Sequence, residues 1–272
     1  RYYSMTKSKK IILITSGLLA LTTASIVYAT VNLNSSQDQT TITEKVSATS
    51  VSKSSNILKE LNVSSDNLKT TVIYDELKDE NVYSIENSNY LINMDTNNDL
   101  IGIYTKQIST TQEVSSMDSS SAKDYILDKY KNLNLPSDYE LNYLEKFDDL
   151  IWQANFEKNY NGIYNKYESV KVFFIPDTDE IVSLTVFNEP ATSNETTITQ
   201  EEATLTATEN LGISSSDVVS ATLTMEKAND YYDNSNQDTS IRPTWVIQSS
   251  DNSIIYIDAE NNKVIGGDCI NE

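Results

Sequence analysis

Histidine is absent from this 272-residue chain, and cysteine occurs once, at Cys269. Without imidazole there is no Ser-His-Asp or Cys-His arrangement, and no zinc site that uses histidine, because each of these needs the ring as base or ligand. One cysteine allows no intramolecular disulfide and no thiolate cluster. Glycine and proline number 6 and 4, which excludes a collagen-like chain and a proline-rich linker. Neither G-x-x-x-x-G-K-[ST] nor G-x-G-x-x-G occurs, so the usual backbone cradle for nucleotide phosphates is missing. Basic residues are also scarce: 20 Lys and Arg stand against 40 Asp and Glu, a net charge of −20. Such a surface repels nucleic acid, whose binding depends on replacing counterions with cationic side chains. It favours cationic partners instead, or simply solvation.

What is present divides along the chain. Lys7, Lys9 and Lys10 precede an uncharged apolar run from Ile11 to Ala29. The run is long enough for a bilayer core of about 30 Å and ends in a small-residue pattern, Val27-Tyr28-Ala29. Residues 1–29 are therefore read as a cleaved signal peptide or a membrane anchor, and either fate places the remainder outside the cytoplasm. Residues 30–54 are rich in Ser, Thr, Gln and Asn and poor in large apolar groups, the composition of a disordered linker.

Beyond the linker an apolar–turn–apolar pattern recurs, as "YLINMDTNNDLIG" from Tyr90, "VFFIPDTDEIVS" from Val172 and "IIYIDAENNKVIG" from Ile254. Met94, Ile175 and Ile257 end the first strand of each hairpin, at intervals of 81 (175 − 94) and 82 (257 − 175) residues. Near-equal spacing predicts tandem units. The units are placed at 55–112, 113–190 and 191–272. A short helix is expected over Asn56–Leu61, a second over Ser119–Leu133 and a third after Thr199. Thr199-Gln200-Glu201-Glu202 has the form of a capping box, and Gly212 is the expected stop. Alternating strands fill the rest: Thr70–Leu77, Asn81–Asn87, Tyr139–Phe147, Leu150–Lys158, Ser169–Ile175, Ile181–Phe187, Asp217–Met225 and Pro243–Ser249 in addition to the hairpins. The fold class is α+β, each unit a helix packed on an antiparallel β-sheet.

"ITQEEATLTATENLGIS" followed by "RPTWVIQSSDNSIIYIDAENNKVIGG" resembles the PepSY domain. The likeness is carried by an acidic, alanine-bearing helix (Glu201, Glu202, Ala203), a tryptophan-led strand (Trp245) and a closing hairpin (Asp258, Ala259, Val264). Asn261-Asn262 stands where the family has Thr-Gly, a swap that asparagine's tolerance of positive φ permits. The middle unit resembles the related YcdB-type repeat through Trp152, the Asn161-Gly162-Ile163 turn and its own closing hairpin, whereas the first unit matches only in the hairpin. The resemblance implies a non-enzymatic binding module of the cell envelope, without a cofactor. Its partner would be another envelope protein, a secreted peptidase or a cell-wall hydrolase. A structural surface spacer and a weak calcium binder are the alternatives.

Candidate chemistry is sparse. Asp95, Asn97 and Asp99 place oxygens at alternate positions as a calcium loop begins, but Leu100 and Lys106 occupy the places of its glycine and closing glutamate. The same residues are what β-turns prefer. Asp230–Asp238 is a second stretch of this kind. Asp148-Asp149 and Glu201-Glu202 are paired acids, the first expected to diverge on a strand and the second to belong to a helix first turn. Tyr160, Tyr164 and Tyr167 gather near the Asn161-Gly162 turn, either as a contact patch or as cover for a hairpin tip.

Overall fold

The computed structural model describes residues 45–75, 79–108, 114–229 and 238–269. The apolar run 11–29, most of the linker, and Asp230–Gln237 lie outside the described residues. Among those described, no helix is long and apolar enough to cross a membrane. The protein is α+β, with antiparallel sheets and few helices. It divides into two compact units, one up to Lys106 and one from Gln107 onward.

In the first unit, helix α1 (Ala48–Glu60) precedes β1 (Lys69–Asp75), β2 (Glu80–Glu86), β3 (Tyr90–Met94) and β4 (Leu100–Thr105). β1 through β4 pair in chain order, each antiparallel to the next. The helix begins at Ala48, inside the stretch 30–54 whose composition predicts a linker, so the folded part starts earlier than that composition suggests. Ser47 caps it, its hydroxyl accepting from the Ser50 amide at 3.0 Å. Ser50, Ser54, Ile57, Leu58 and Leu61 follow at helical spacing and are all buried. Two of the five are serines, so the stripe has no apolar signal in its first turns. Small hydroxyl side chains nonetheless fit against a sheet when they find partners, and Ser50 Oγ donates to Asn98 Oδ1 at 2.9 Å.

The second unit holds two further runs of a helix and four strands. Helix α2 (Ser119–Asn132) is followed by β5 (Tyr139–Lys146), β6 (Trp152–Tyr160), β7 (Ile163–Ile175) and β8 (Glu180–Asn188). Helix α3 (Gln200–Leu211) is followed by β9 (Val218–Lys227), β10 (Ile241–Ser249), β11 (Ser253–Asp258) and β12 (Val264–Cys269). Every pairing within each run joins chain neighbours in antiparallel register. α2 is capped by Asp118, which accepts from the Ser121 amide at 2.8 Å, and not by the serine cluster. It ends at Asn132, short of Pro136, with Asn134 at a φ of 54° closing the turn. Its aromatic residues stack on the sheet, Tyr130 on Phe156 and Tyr125 on Phe174. α3 has both halves of the capping box and ends on Gly212 at a φ of 68°. Ala203 and Ala207, with no side chain beyond Cβ, let it settle directly onto Ile247, Ile255 and Ile257.

β7 starts at Ile163, six residues before the expected Ser169. Asn161 and Gly162, at φ of 55° and 93°, form the two-residue loop that a right-twisted hairpin demands. Between Asn165 and Ser169 the ladder with β6 breaks register, a β-bulge. That bulge swings Lys166 and Tyr167 out of the sheet toward β9.

Glu157 on β6 is buried, and burial raises its carboxyl above the ordinary value of 4.5, offset in part by the hydrogen bond from Asn142 and by the Lys171 and Lys166 charges. The folded state thus holds this proton more tightly than the unfolded chain does. The resulting stability is complete below the ordinary value and is lost as pH rises through the raised one. Glu157→Gln is therefore expected to be more stable than wild type at neutral pH, with the two converging below about pH 4.5. Urea unfolding across that range measures the difference. A constant gap at all pH values would contradict the assignment.

Candidate functional site

In the last run most residues that carry the resemblance meet in one place. The lead-in to α3 lies against the turn between β11 and β12. Thr197 N and Ile198 N both donate to Ala259 O at 2.9 Å. Trp245 Nε1 donates to Ile198 O at 2.9 Å from the neighbouring strand. Asp258 organises the turn: Oδ1 accepts from Glu260 N at 2.8 Å, and Oδ2 accepts from Asn261 Nδ2 at 2.9 Å and from Arg242 Nη1 at 3.0 Å. Glu202 accepts from Thr199 N at 2.9 Å, ending the same lead-in as a cap. Ala203 and Ala259 are fully buried, and Val264 packs against the core beside them.

The middle run repeats the arrangement with different atoms. The turn after β7 carries Asp177, which accepts from Ser116 N at 3.0 Å and from the hydroxyls of Ser115 and Ser116. Trp152 Nε1 reaches Ser115 Oγ at 3.4 Å. In the first run Asn98, in the turn after β3, binds the hydroxyls of Ser47 and Ser50 and accepts Lys53 Nζ on its carbonyl at 2.8 Å. In all three runs the helix N-terminus is pinned to the closing hairpin. Each indole N–H acts as a latch on the lead-in segment, a role that a tryptophan in an alternating strand does not announce.

A second cluster joins the two runs of the second unit. Ile163, Met225 and Ile241 form a buried core, with Tyr160, Tyr167, Ala191 and Leu223 packed against it. Glu226, buried on β9, accepts from Tyr167 Oη at 2.9 Å and from Lys166 Nζ at 2.6 Å. Lys166 and Lys227 place their ammonium groups 5.3 and 4.9 Å from the Tyr167 ring centroid. Burial and Glu226 together push the Tyr167 hydroxyl well above its ordinary value, and burial with Glu168 pushes Tyr160 up to about 12. Both therefore remain donors at any physiological pH. Tyr164 instead donates to Glu140 at 3.1 Å. The tyrosine group near Gly162 is thus divided: two members form an internal joint and the third stands beside β5.

One member of each acid pair serves the backbone. Asp148 accepts from Leu150 N and Ile151 N at 2.8 and 2.6 Å, and Glu202 is spent on its cap. Asp95, Asn97 and Asp99 share one turn, but Asp95 Oδ1 accepts from Asp99 N at 2.7 Å, Oδ2 from Asn97 Nδ2 at 3.4 Å, and Asp99 lies 3.6 Å from Lys53. Among the described residues no group of three or more Cys, Asp and Glu side chains is placed to hold a metal ion. Of the second calcium candidate, Asp238 is described and it pairs with Arg242. An open polar cleft of about 530 Å³ lies beside the joint, lined by Asn188, Glu189, Pro190, Thr192, Asp238 and Ser240 among others. Glu189 there is tied to Lys227 and Asp238 to Arg242.

No family model matches the sequence, and no curated protein matches it. Among solved structures the chain is similar to the Bacillus megaterium YpeB C-terminal domain, with a TM-score of 0.51 at 11% sequence identity, over 84% of this chain and 100% of that one. At that identity the likeness is one of fold, and it is consistent with a PepSY-like fold.

Proposed function

We propose that the chain is an extracytoplasmic, non-enzymatic binding module made of three tandem PepSY-like units, the first of them degenerate. It acts by contact on another protein of the cell envelope, a secreted peptidase or a cell-wall hydrolase. The observation that carries this reading is the threefold pinning of helix to closing hairpin. The polar residues of the resembling motif, Trp152, Trp245, Asp258 and Glu202, are committed to that scaffold. Among the described residues the scaffold presents strand edges and acidic loops as contact surfaces. The apolar run 11–29 supports export or tethering to the membrane.

Photo-crosslinking of the full chain in envelope extracts tests the proposal. One saturable partner is expected, with hydrolytic activity that changes when the chain is added. Absence of any saturable partner would favour the spacer reading, and turnover of peptides or glycans by the purified chain would defeat both.

A further inference from the structure

Strand edges decide where an extended partner can join a sheet, because an unpaired edge offers a row of backbone donors and acceptors. In the last run, the outer edge of β12 is covered at Ile265 and Gly267. Asn229 N donates to Ile265 O at 2.9 Å. Its side chain then imitates a peptide group, Nδ2 donating to Gly267 O at 2.8 Å and Oδ1 accepting from Gly267 N at 3.0 Å. On β9, the stretch from Leu223 to Glu226 is occupied by the joint with the β6–β7 hairpin. β5 differs. Among the described residues its backbone pairs with β6 alone, and Glu140, Asn142, Tyr143, Glu145 and Lys146 are exposed along it.

The side chains beside that edge have a definite chemistry. After the bulge at Asn142, residues Tyr143, Glu145 and Phe147 alternate onto one face of the strand. It is the face away from α2, since Leu144 and Lys146 pair with Ala154 and Trp152 on the helix side. Tyr143 and Phe147 are 40% and 38% exposed, large for aromatic residues beside a sheet, and Phe147 meets Phe173 edge-on with its ring centroid at 5.1 Å. Tyr143 Oη donates to Glu145 at 2.6 Å, which holds the carboxylate beside the tyrosine ring. Farther along the edge stands the exposed Glu140. Of the nearby cations, Lys158 is paired with Asp138, and Lys146 lies over the Trp152 ring and donates to Ser115 O at 3.2 Å.

We propose that the outer edge of β5 is the docking site for an extended segment of a partner protein that carries lysine or arginine at alternate positions. The backbone of the segment continues the sheet, its cations meet Glu145 and Glu140, and their alkyl stems or guanidinium planes lie on Tyr143 and Phe147. A second copy of β5 is a poor occupant, because antiparallel self-pairing would bring two acidic strips together and the bulge interrupts the ladder. The chain's net charge of −20 steers a basic partner toward it. This inference names the binding surface within the function proposed above and rests on that reading.

The test uses the full chain in mild detergent and two capped decapeptides, one alternating Lys with Val and the other alternating Glu with Val. The Lys peptide is expected to bind, to slow amide exchange over Tyr139–Lys146, and to lose affinity as salt rises. Glu145→Lys, an exposed substitution whose folding is checked by circular dichroism, is expected to weaken that binding by about tenfold or more. Tyr143→Ala should weaken it as well. Equal binding of the two peptides, protection of another strand, or an unaltered affinity in Glu145→Lys would overturn the proposal. A crosslinked envelope partner whose capture is indifferent to Glu145→Lys would leave the binding function standing and remove β5 as its site.

Discussion

Asp258→Ala is expected to destabilise the second unit by about 3 kcal/mol, at the lower end of what breaking a buried ion pair costs. Asp258 is 1% exposed and accepts from the Arg242 guanidinium, the Asn261 side chain and two turn amides. Removing the carboxylate leaves these donors facing a void. Arg242 retains Asp238 and some contact with water, which keeps the cost from rising further. Asp258→Asn keeps an oxygen for the Glu260 and Asn261 amides but surrenders the charge, so it should lose about half as much. Urea unfolding followed by tryptophan fluorescence measures both, because Trp245 latches the α3 lead-in that the same turn holds. A loss under about 1 kcal/mol for Asp258→Ala would mean that the turn is organised by other contacts.

Asn229→Ala is expected to open the outer edge of β12. The substitution removes two hydrogen bonds to Gly267 and keeps the backbone bond to Ile265. At about 1 kcal/mol each, their loss should speed amide exchange at Gly267 by about thirtyfold. The exposed edge should also make the chain associate with itself as concentration rises. Gly266→Ala approaches the same state from the other side, since an added Cβ would lie 2.9 Å from the Asn229 backbone nitrogen and closer still to its side-chain oxygen. Sedimentation velocity and exchange together read the outcome. If Asn229→Ala stays monomeric and Gly267 exchanges as before, Asn229 is not what closes this edge.

These two sites differ in how far they could be seen in the chain of letters. Asp258 stands in a recognisable motif, and its place at the end of a strand before polar turn residues is a local pattern. Asn229 is one asparagine among many, and it acquires a role only when β12, 35 residues later, returns beside it (264 − 229). The tryptophans fall between. Their strands alternate as expected, yet what the indole nitrogen binds depends on where the helix lead-in crosses.

Local rules were legible wherever a signal acts over a few residues. Thr199, Glu202 and Gly212 delimit α3 through caps that satisfy its own end groups, and Asn161-Gly162 makes a hairpin because both residues accept positive φ. Apolar alternation located the strands to within a few residues. The errors arose where a long-range partner supplies the energy. α1 extends back to Ala48 because Ser50 and Ser54 are buried against the rest of the unit, and a hydropathy pattern does not count serine as core. β7 extends to Ile163 because the hairpin pairs Ile163–Asn165 back onto β6, and the bulge residues Lys166 and Tyr167 that interrupt it have their partner Glu226 on β9, which the segment alone does not contain.

By itself the sequence determined the α+β class, the recurrence of the closing hairpin, the acidic surface and the absence of imidazole chemistry. Each of these follows from composition or from contacts a few residues apart. Tertiary structure alone decided which strand edge is plugged and which is open, and that Tyr160 and Tyr167 belong to an internal joint. Those outcomes depend on backbone groups far apart in the chain finding or lacking a partner, and hydrogen bonding at a sheet edge is blind to the identity of the residue that carries it.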